Sequence, residues 1–579
     1  MSDASAKNLH SNPWDSLKNP LFRSIWIATF ISGIGSWMHQ VADGWLMTTL
    51  TPDPLMVSMI QVLSTLPMFI LALPAGALAD LVDRRKYLLF TQTWMLLASG
   101  TMGFLTYNDL MTPEILLFTT FLMSFGVALN SPGWHSVTPE VVSREELPGA
   151  VSLNGMALNC ARALGPALGG AVLLYFGASV AFFLNSISFS VVILVLLRWK
   201  RDKNDDSTPR EGFLPAMRGG VRHVRHSPWL KTVLVRAPLF LLSTSILWAL
   251  APLLCKQAYG FSAPEYGIML GVFGLGAVTG ALQVLPRVRK HLNIDQIVTT
   301  FWIVFSFCLI GLGLAQSLLS AIVCMFIAGI SWLCVLANFH FVVQSSAPPW
   351  VQGRAMSIYL LFFFGAASVG SAFWGFLAKW IELREVFMVA GGVLMFTSLS
   401  RYYAPLNSAE KHNLTPSGAW PDPEVASNVP LDHGPIMVKV EYIIDEEDAK
   451  AFREALEQLR MFRYQNGVLQ WGIFLDIADP RKYREIYFED SWGSHLRHHG
   501  RVTAFETEVA AKVYAFHKGE GMPPVFHYSI CNQDFPTDGG EIGPVNLRPR
   551  RYATDSRGVP LWFLDDFQDA GATDSDQDS

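Results

Sequence analysis

Two charged side chains sit where the surrounding chain is apolar. Asp43 lies inside the run 21–49 and Arg162 inside the run 149–174. Arg162 is about 14 residues into its run, roughly 21 Å along a helix that rises 1.5 Å per residue. That depth is beyond easy snorkelling to water, and a charge held there binds a proton, a counter-ion or a charged ligand. Asp43 is the acid that can partner it from the first half of the chain. Its own place, about 21 residues into its run, also suits an outer mouth, so a structural ion pair and a hydrated rim are the competing readings. A third group of charges interrupts the chain at GALADLVDRRK, Gly76–Lys86, where Asp80 precedes Asp83, Arg84, Arg85 and Lys86. A fourth is HLRHH, which sets His495 and His499 one helical turn apart. No third ligand accompanies them in the sequence, and CxxC and Cys/His ligand spacings are absent, so neither a metal nor a cofactor is expected. No Walker lysine motif is present, so ATP is not the driver.

The elements that position these residues follow from composition. Of 579 residues, 51% are hydrophobic and 16% charged, against about 25% charged in a soluble globular protein. The apolar residues concentrate in 21–403, and the chain after Ala404 has ordinary soluble composition. The net charge of −5 averages these two unlike parts and points to no nucleic-acid partner. A helix crosses a bilayer with about 20 apolar residues. Twelve such runs are predicted, near 21–49, 55–79, 87–107, 113–138, 149–174, 178–198, 231–254, 265–285, 295–315, 318–343, 352–378 and 384–403. Lys and Arg gather in 80–86, 198–231 and 287–290, which fall on one side if both termini share that side. The loops at 51–54 and 107–114 carry almost none, so a multi-pass protein with both termini cytoplasmic is predicted. The first twenty residues show no signal-peptide core. Five of six cysteines lie in apolar runs and Cys531 in the soluble part, which argues against a disulfide framework.

The chain also repeats itself. NPLFRSIW from Asn19 is similar to SPWLKTVL from Ser227, an offset of 208. Gly76–Lys86 is similar to GALQVLPRVRK at Gly280–Lys290, an offset of 204, which aligns Arg85 with Arg289 and Lys86 with Lys290. AVSL at Ala150 is similar to AMSI at Ala355, an offset of 205. Three matches in chain order imply two homologous six-helix halves with a binding site between them at mid-membrane.

GALADLVDRRK resembles the loop 2–3 signature of the major facilitator superfamily, through Gly76, Leu78, Ala79, Asp80, Arg84 and Arg85. Leu81 stands where that signature carries Arg. Asp83 replaces its second Gly, a mild change because Asp tolerates left-handed turn geometry. NCARALGPALGG (Asn159–Gly170) resembles the fifth-helix element of the superfamily's proton-coupled exporters, and with NSPGWHSVTPE (Asn130–Glu140) and the long tail the chain resembles the enterobactin-exporter-like branch, also called transmembrane secretion effectors. The resemblance implies roles. Asp80 would latch onto a helix N-terminus of the other half, with Gly76 allowing close helix approach. Gly165, Pro166, Gly169 and Gly170, following Arg162, would seal the outer side, against ordinary small-residue packing. The first, fourth, seventh and tenth helices line the cavity in this superfamily, which nominates Trp37, Gln40, Asn130 and Asn338 as substrate contacts. His39, His135, His340 and Gln344 are weaker candidates. For the Asn pair the alternative is interhelical glue.

Residues 404–434 read as a linker. Beyond it PIMVKVEYII, a helix with Asp445 as N-cap, VLQWGIFLDI, KYREIYFED, a second helix and PVFHYSI give the order βαββαβ of a ferredoxin-like domain. It resembles the antibiotic-biosynthesis-monooxygenase type, which implies a dimerisation or interaction module. The expected organisation is a cytoplasmic segment 1–20, half-bundles 21–198 and 231–403, a basic loop 199–230, the linker, a cytoplasmic α+β domain at 435–530, and an acidic, disordered 540–579. The expected fold is an all-α membrane protein of twelve transmembrane helices in two pseudo-symmetric halves, with that small domain appended. The resemblance implies a secondary transporter of the bacterial inner membrane rather than an enzyme. It would export a siderophore-like or amphipathic drug-like molecule by proton antiport, with protonation of Asp43 or another carboxylate exchanging against substrate. An importer of the same fold, and a membrane-anchored enzyme or sensor acting through the tail, are the alternatives.

Overall fold

The first long helix starts where the sequence supplies a cap. The Asn19 side chain accepts the backbone N–H groups of Leu21 and Phe22, and Pro20 fills the first helical position. The computed structural model describes residues 13–529, apart from 136, 144–145, 200–212, 410–411, 421–422 and 424–428. The expectations for Cys531 and for 540–579 lie outside the described residues.

The helices of the first half are α1 (Pro20–Leu50), α2 (Pro54–Leu81), α3 (Arg84–Tyr107), α4 (Pro113–His135), the short α5 (Thr138–Val141), α6 (Leu147–Phe176) and α7 (Ala178–Arg198). After α8 (Phe213–His226), the second half comprises α9 (Pro228–Leu253), α10 (Ala263–Thr279), the short α11 (Leu285–Val288), α12 (Ile294–Leu314), α13 (Leu318–Ser345), α14 (Gln352–Leu377) and α15 (Leu383–Thr397). π-helical turns prolong α9 to Ala258 and join α10 to α11. The helix starts at 20, 54, 84, 113, 147 and 178 recur 205–210 residues later, at 228, 263, 294, 318, 352 and 383. The duplication inferred from three weak sequence matches therefore extends to every long helix. Capping boxes at Ser262/Glu265 and Asn293/Gln296 open α10 and α12, and Gly177, at φ 81°, makes the tight turn from α6 to α7.

Eleven helices among the described residues are long and apolar enough to cross a membrane. The twelfth expected span, α1, has 31 residues but is not among them. Its run carries Arg23, His39, Gln40 and Asp43, and these polar groups lower its hydropathy.

The chain divides into two compact units. One holds the helices just described, except α8, the first residues of α9 and the α13–α14 junction. The other gathers Glu211–Lys231, Val342–Ala355 and the chain from Ser408 onward. Its centre is an antiparallel sheet of β1 (Ile436–Ile443), β2 (Gln470–Leu475), β3 (Lys482–Glu489) and β4 (Val525–Ser529), in the order β2-β3-β1-β4. The helices α16 (Ala449–Asn466), α17 (Trp492–Arg501) and α18 (Ala504–Tyr514) complete it. Alternate residues of β1, from Ile436 to Tyr442, are buried against Phe452, Leu456, Leu459 and Val513, as a strand with one covered face requires. Two local expectations are corrected. The second helix breaks at Val502–Thr503, where Thr503 caps α18. Asp445 precedes a 3-10 turn and makes no side-chain cap bond.

The basic middle loop is more than a charged spacer. Its helix α8 packs on α16 within the second unit. Arg222 donates to the Gly467 carbonyl at 2.9 Å, Gln465 donates to the His226 carbonyl at 3.2 Å, and the His226 ring stacks on Tyr464.

Candidate functional site

The structure brings some nominated residues together and assigns others to packing. Asp43 and His39 are both 4% exposed, four residues apart on α1. His39 Nε2 lies 3.3 Å from Asp43 Oδ2. His39 Nδ1 lies 3.2 Å from the Ser99 hydroxyl on α3, and that hydroxyl donates to the Phe182 carbonyl on α7 at 2.8 Å. Ser99 has one proton and spends it on the carbonyl, which can only accept. His39 Nδ1 must then be the donor to Ser99, which turns Nε2 toward the carboxylate. The Nε2–Oδ2 contact is attractive only with a proton on one of its two atoms.

Arg162 on α6 does not meet Asp43. Its guanidinium lies over the Trp37 ring of α1, 5.5 Å from the centroid, and among the described residues it makes no ion pair. Trp37 faces Trp248 of α9 at 6.3 Å, and Trp248 packs edge-on against Trp332 of α13 at 6.0 Å. His340 of α13 feels the charge of Arg162 and meets Tyr359 of α14 edge-on at 5.3 Å. Arg162 Nε, His340 Nε2 and the Tyr359 hydroxyl are buried with no hydrogen-bond partner among the described residues. A cation, aromatic faces and unspent polar atoms from both halves thus share one region. Gln40 is half-buried on α1.

Both asparagines bond to protein groups. Asn130 Oδ1 accepts from Thr91 at 3.0 Å and from Gln92 at 3.2 Å, tying α4 to α3. Asn338, 208 residues later, donates to the Cys334 carbonyl at 2.7 Å and accepts from Arg289 at 3.2 Å. A buried ion pair outside the residues nominated above joins Arg236 of α9 to Asp295 at the start of α12, with Thr299 and Arg401 beside it. The visible signal was a lone basic residue inside the seventh apolar run.

The loop between α2 and α3 is fixed by its basics. Arg84 pairs with Glu140, and Arg85 donates to the Leu196 and Leu197 carbonyls at the end of α7, which favours a cation there. Asp83 is not a left-handed turn residue. At φ −54° it is the N-cap of α3 and accepts the Lys86 N–H at 3.0 Å. Gly76 and Asp80 lie on α2 outside the residues whose side chains are described.

The glycines of α6 form a seam. Gly165 lies against Trp37, and Gly169 against Met38 and Val41, all on α1. Gly170 meets Gly267 of α10 backbone to backbone, and Gly274 of α10 rests on Arg162 and Ala163. Pro166 is buried in this helix without interrupting it. More contacts join the halves toward the same end of the bundle. Lys256 donates to the Thr48 carbonyl at 2.7 Å, Lys379 pairs with Asp53 at 3.1 Å, and Gly375 abuts Ser58.

The α+β domain has a buried polar network of its own. Glu485, fully buried, accepts from Arg463, Tyr442 and Trp471. Glu489 accepts from His498 at 2.7 Å, and although burial works against it, the flanking His498 and His495 hold its carboxyl far below the usual range. Burial and neighbouring imidazoles push His499 down to about 3 and His527 down to about 4.

Duplicated half-bundles that meet around a shared polar region define a multi-pass membrane transporter of the major facilitator type. Solved structures share this fold. The inward-facing bacterial homologue of the human lysosomal transporter Spinster covers 68% of this chain with 96% of its own, at TM-score 0.52 and 14% identity. The nucleoside transporter NupG covers 66% with 100% of its own, at TM-score 0.56 and 10% identity. Residues 11–534 match the transmembrane secretion effector family, and the chain belongs to it. Among curated relatives, the staphyloferrin A transporter of Staphylococcus aureus is 20% identical over 58% of this chain and 84% of its own length. The enterobactin exporter EntS of Citrobacter koseri is 26% identical over 66% and 91%. The protein is a transporter and not an enzyme.

Proposed function

We propose that this protein exports an anionic, siderophore-like small molecule across the bacterial inner membrane by proton antiport with alternating access. The observation that carries the substrate class is Arg162, a membrane-embedded cation that lies on Trp37 and has no acidic partner among the described residues. A ligand bearing carboxylate or catecholate oxygens on a flat framework supplies the missing counter-charge and stacks on the indoles. The names of the curated relatives favour the same class. The coupling site is the buried His39–Asp43 pair, which the Ser99 hydroxyl orients so that one proton sits between the two side chains.

In this reading α1 is the twelfth span and both termini are cytoplasmic. The seam of Gly165, Gly169 and Gly170 closes the outer side while the substrate region opens inward, and Asp80 latches the inner gate in the opposite state. The α+β unit is a cytoplasmic ferredoxin-like domain, and its β2 edge, with exposed Phe474, Leu475 and Ile477, is a surface for dimerisation. The test is transport in everted vesicles. Substrate uptake that collapses with the proton gradient supports antiport, and uptake indifferent to that gradient contradicts it.

A further inference from the structure

The sequence shows two histidines of α17 one turn apart and no third ligand. The fold supplies the third. His527 lies on β4, opposite Val438 in the register of the sheet, and its ring packs 4.7 Å from that of His495. One nitrogen from each of His495, His499 and His527 falls within 4.8 Å of the other two. The closest pair, His495 Nε2 and His499 Nε2, is 3.1 Å apart. Zn–N bonds of about 2.0–2.1 Å set neighbouring donors about 3.3 Å apart in a tetrahedron. The first pair is already at that spacing, and rotation of the half-buried His499 and His527 rings brings in the third.

The surroundings match a metal centre's outer shell. His495 Nδ1 lies 3.4 Å from Glu489 Oε1. A carboxylate behind an imidazole fixes the tautomer and leaves Nε2 as the ligating atom. Trp492 packs on His495 and His527, and Trp420 packs on His499, so aromatic walls limit water access. Three neutral imidazoles and no oxygen donor disfavour Mg2+ and Ca2+, which take oxygen ligands, and favour Zn2+ and its first-row neighbours.

We propose that His495, His499 and His527 bind one divalent first-row transition-metal ion, with Zn2+ the best geometric fit, and that Glu489 positions His495. Three protein ligands leave a fourth position for water or an exogenous donor. Binding would tie α17 to the edge strand β4.

The test uses the full-length protein in detergent, without a polyhistidine tag, loaded separately with Zn2+ and Co2+ and freed of excess by gel filtration. The expected result is one equivalent per chain, visible d–d absorption for Co2+ in a four-coordinate nitrogen site, and a higher melting midpoint of the α+β unit. Excess Mg2+ should not displace the ion. His527→Gln and His499→Ala should each reduce bound metal to background, and Glu489→Gln should weaken affinity about ten- to a hundred-fold. If a histidine variant misfolds, the wild-type Co2+ spectrum still decides. A protein that binds no Co2+, or one whose His527→Gln variant keeps the full equivalent, overturns the proposal.

Discussion

At the residue scale, several buried polar atoms have no hydrogen-bond partner among the described residues. Arg162 stacks on Trp37 with no carboxylate beside it among the described residues, so replacing it should act on substrate and spare folding. Arg162→Ala should raise the apparent KM for an anionic substrate about tenfold or more, worth about 1.4 kcal/mol per decade. Arg162→Lys should recover part of the loss, because charge is kept while planar stacking is not. Titration of transport rate against substrate concentration in vesicles measures both. His223 gives a prediction about stability. Burial above all, aided by Arg501 and His226, pushes this histidine down to about 4 from 6.5, and it is 2% exposed beside Trp350. The unfolded chain takes up a proton below pH 6.5 while the folded chain does not until about pH 4. Stability is therefore lost as pH falls through that window, by about 2 kcal/mol at pH 5. His223→Gln should remove that increment, read as a smaller drop in the melting midpoint of the second unit between pH 7 and pH 5. Much of the residue scale was legible. Asp43 and Arg162 declared themselves by charge in apolar runs. Their partners did not, because His39 and Trp37 differ little in sequence from ordinary helix or lipid-belt residues, and only packing shows which ring each charge meets.

At the element scale, glycines bring α6 into close contact with α1 and α10, and the proposed outer seal depends on that approach. A Cβ at Gly267 would stand 2.7 Å from Gly170 Cα and 2.8 Å from the Pro166 carbonyl, both backbone and unable to yield. Gly267→Val should therefore hold α6 and α10 apart and cut transport at least tenfold, while Gly155→Ala, which meets nothing within 4 Å, should be neutral. Cysteine accessibility along α6 distinguishes the two. Asp80→Asn should leave membrane insertion intact and impair transport, and a variant that transports normally removes the latch. The helices themselves could be read from apolar runs and Gly/Pro breaks, and their boundaries fall within a few residues of expectation because caps such as Asn19 and Asp83 are local signals. The helix α8 was hidden. Its basic residues read as topology, and its packing on α16 depends on Arg222 and Gln465 meeting partners more than 200 residues away.

At the scale of the whole molecule, the duplication accounts for the repeated order of the long helices, and the proposed functional residues depart from it. Asn130 and Asn338 lie on the paired helices α4 and α13, three residues out of register at that pair's offset of 205, and each bonds to neighbouring protein groups. His39, Asp43 and Arg162 belong to the first half, without counterparts at the repeat offset. The proposed coupling pair therefore lies in one half, while the aromatic faces around Arg162 come from both. The most direct measurement uses purified protein in liposomes with an imposed pH gradient and an anionic siderophore-class substrate inside. Wild-type protein should drive substrate against its own gradient when protons flow inward. Asp43→Asn should abolish this uphill movement and leave substrate–substrate exchange. Uphill transport by Asp43→Asn at the wild-type rate would contradict the assignment of proton coupling to the His39–Asp43 pair.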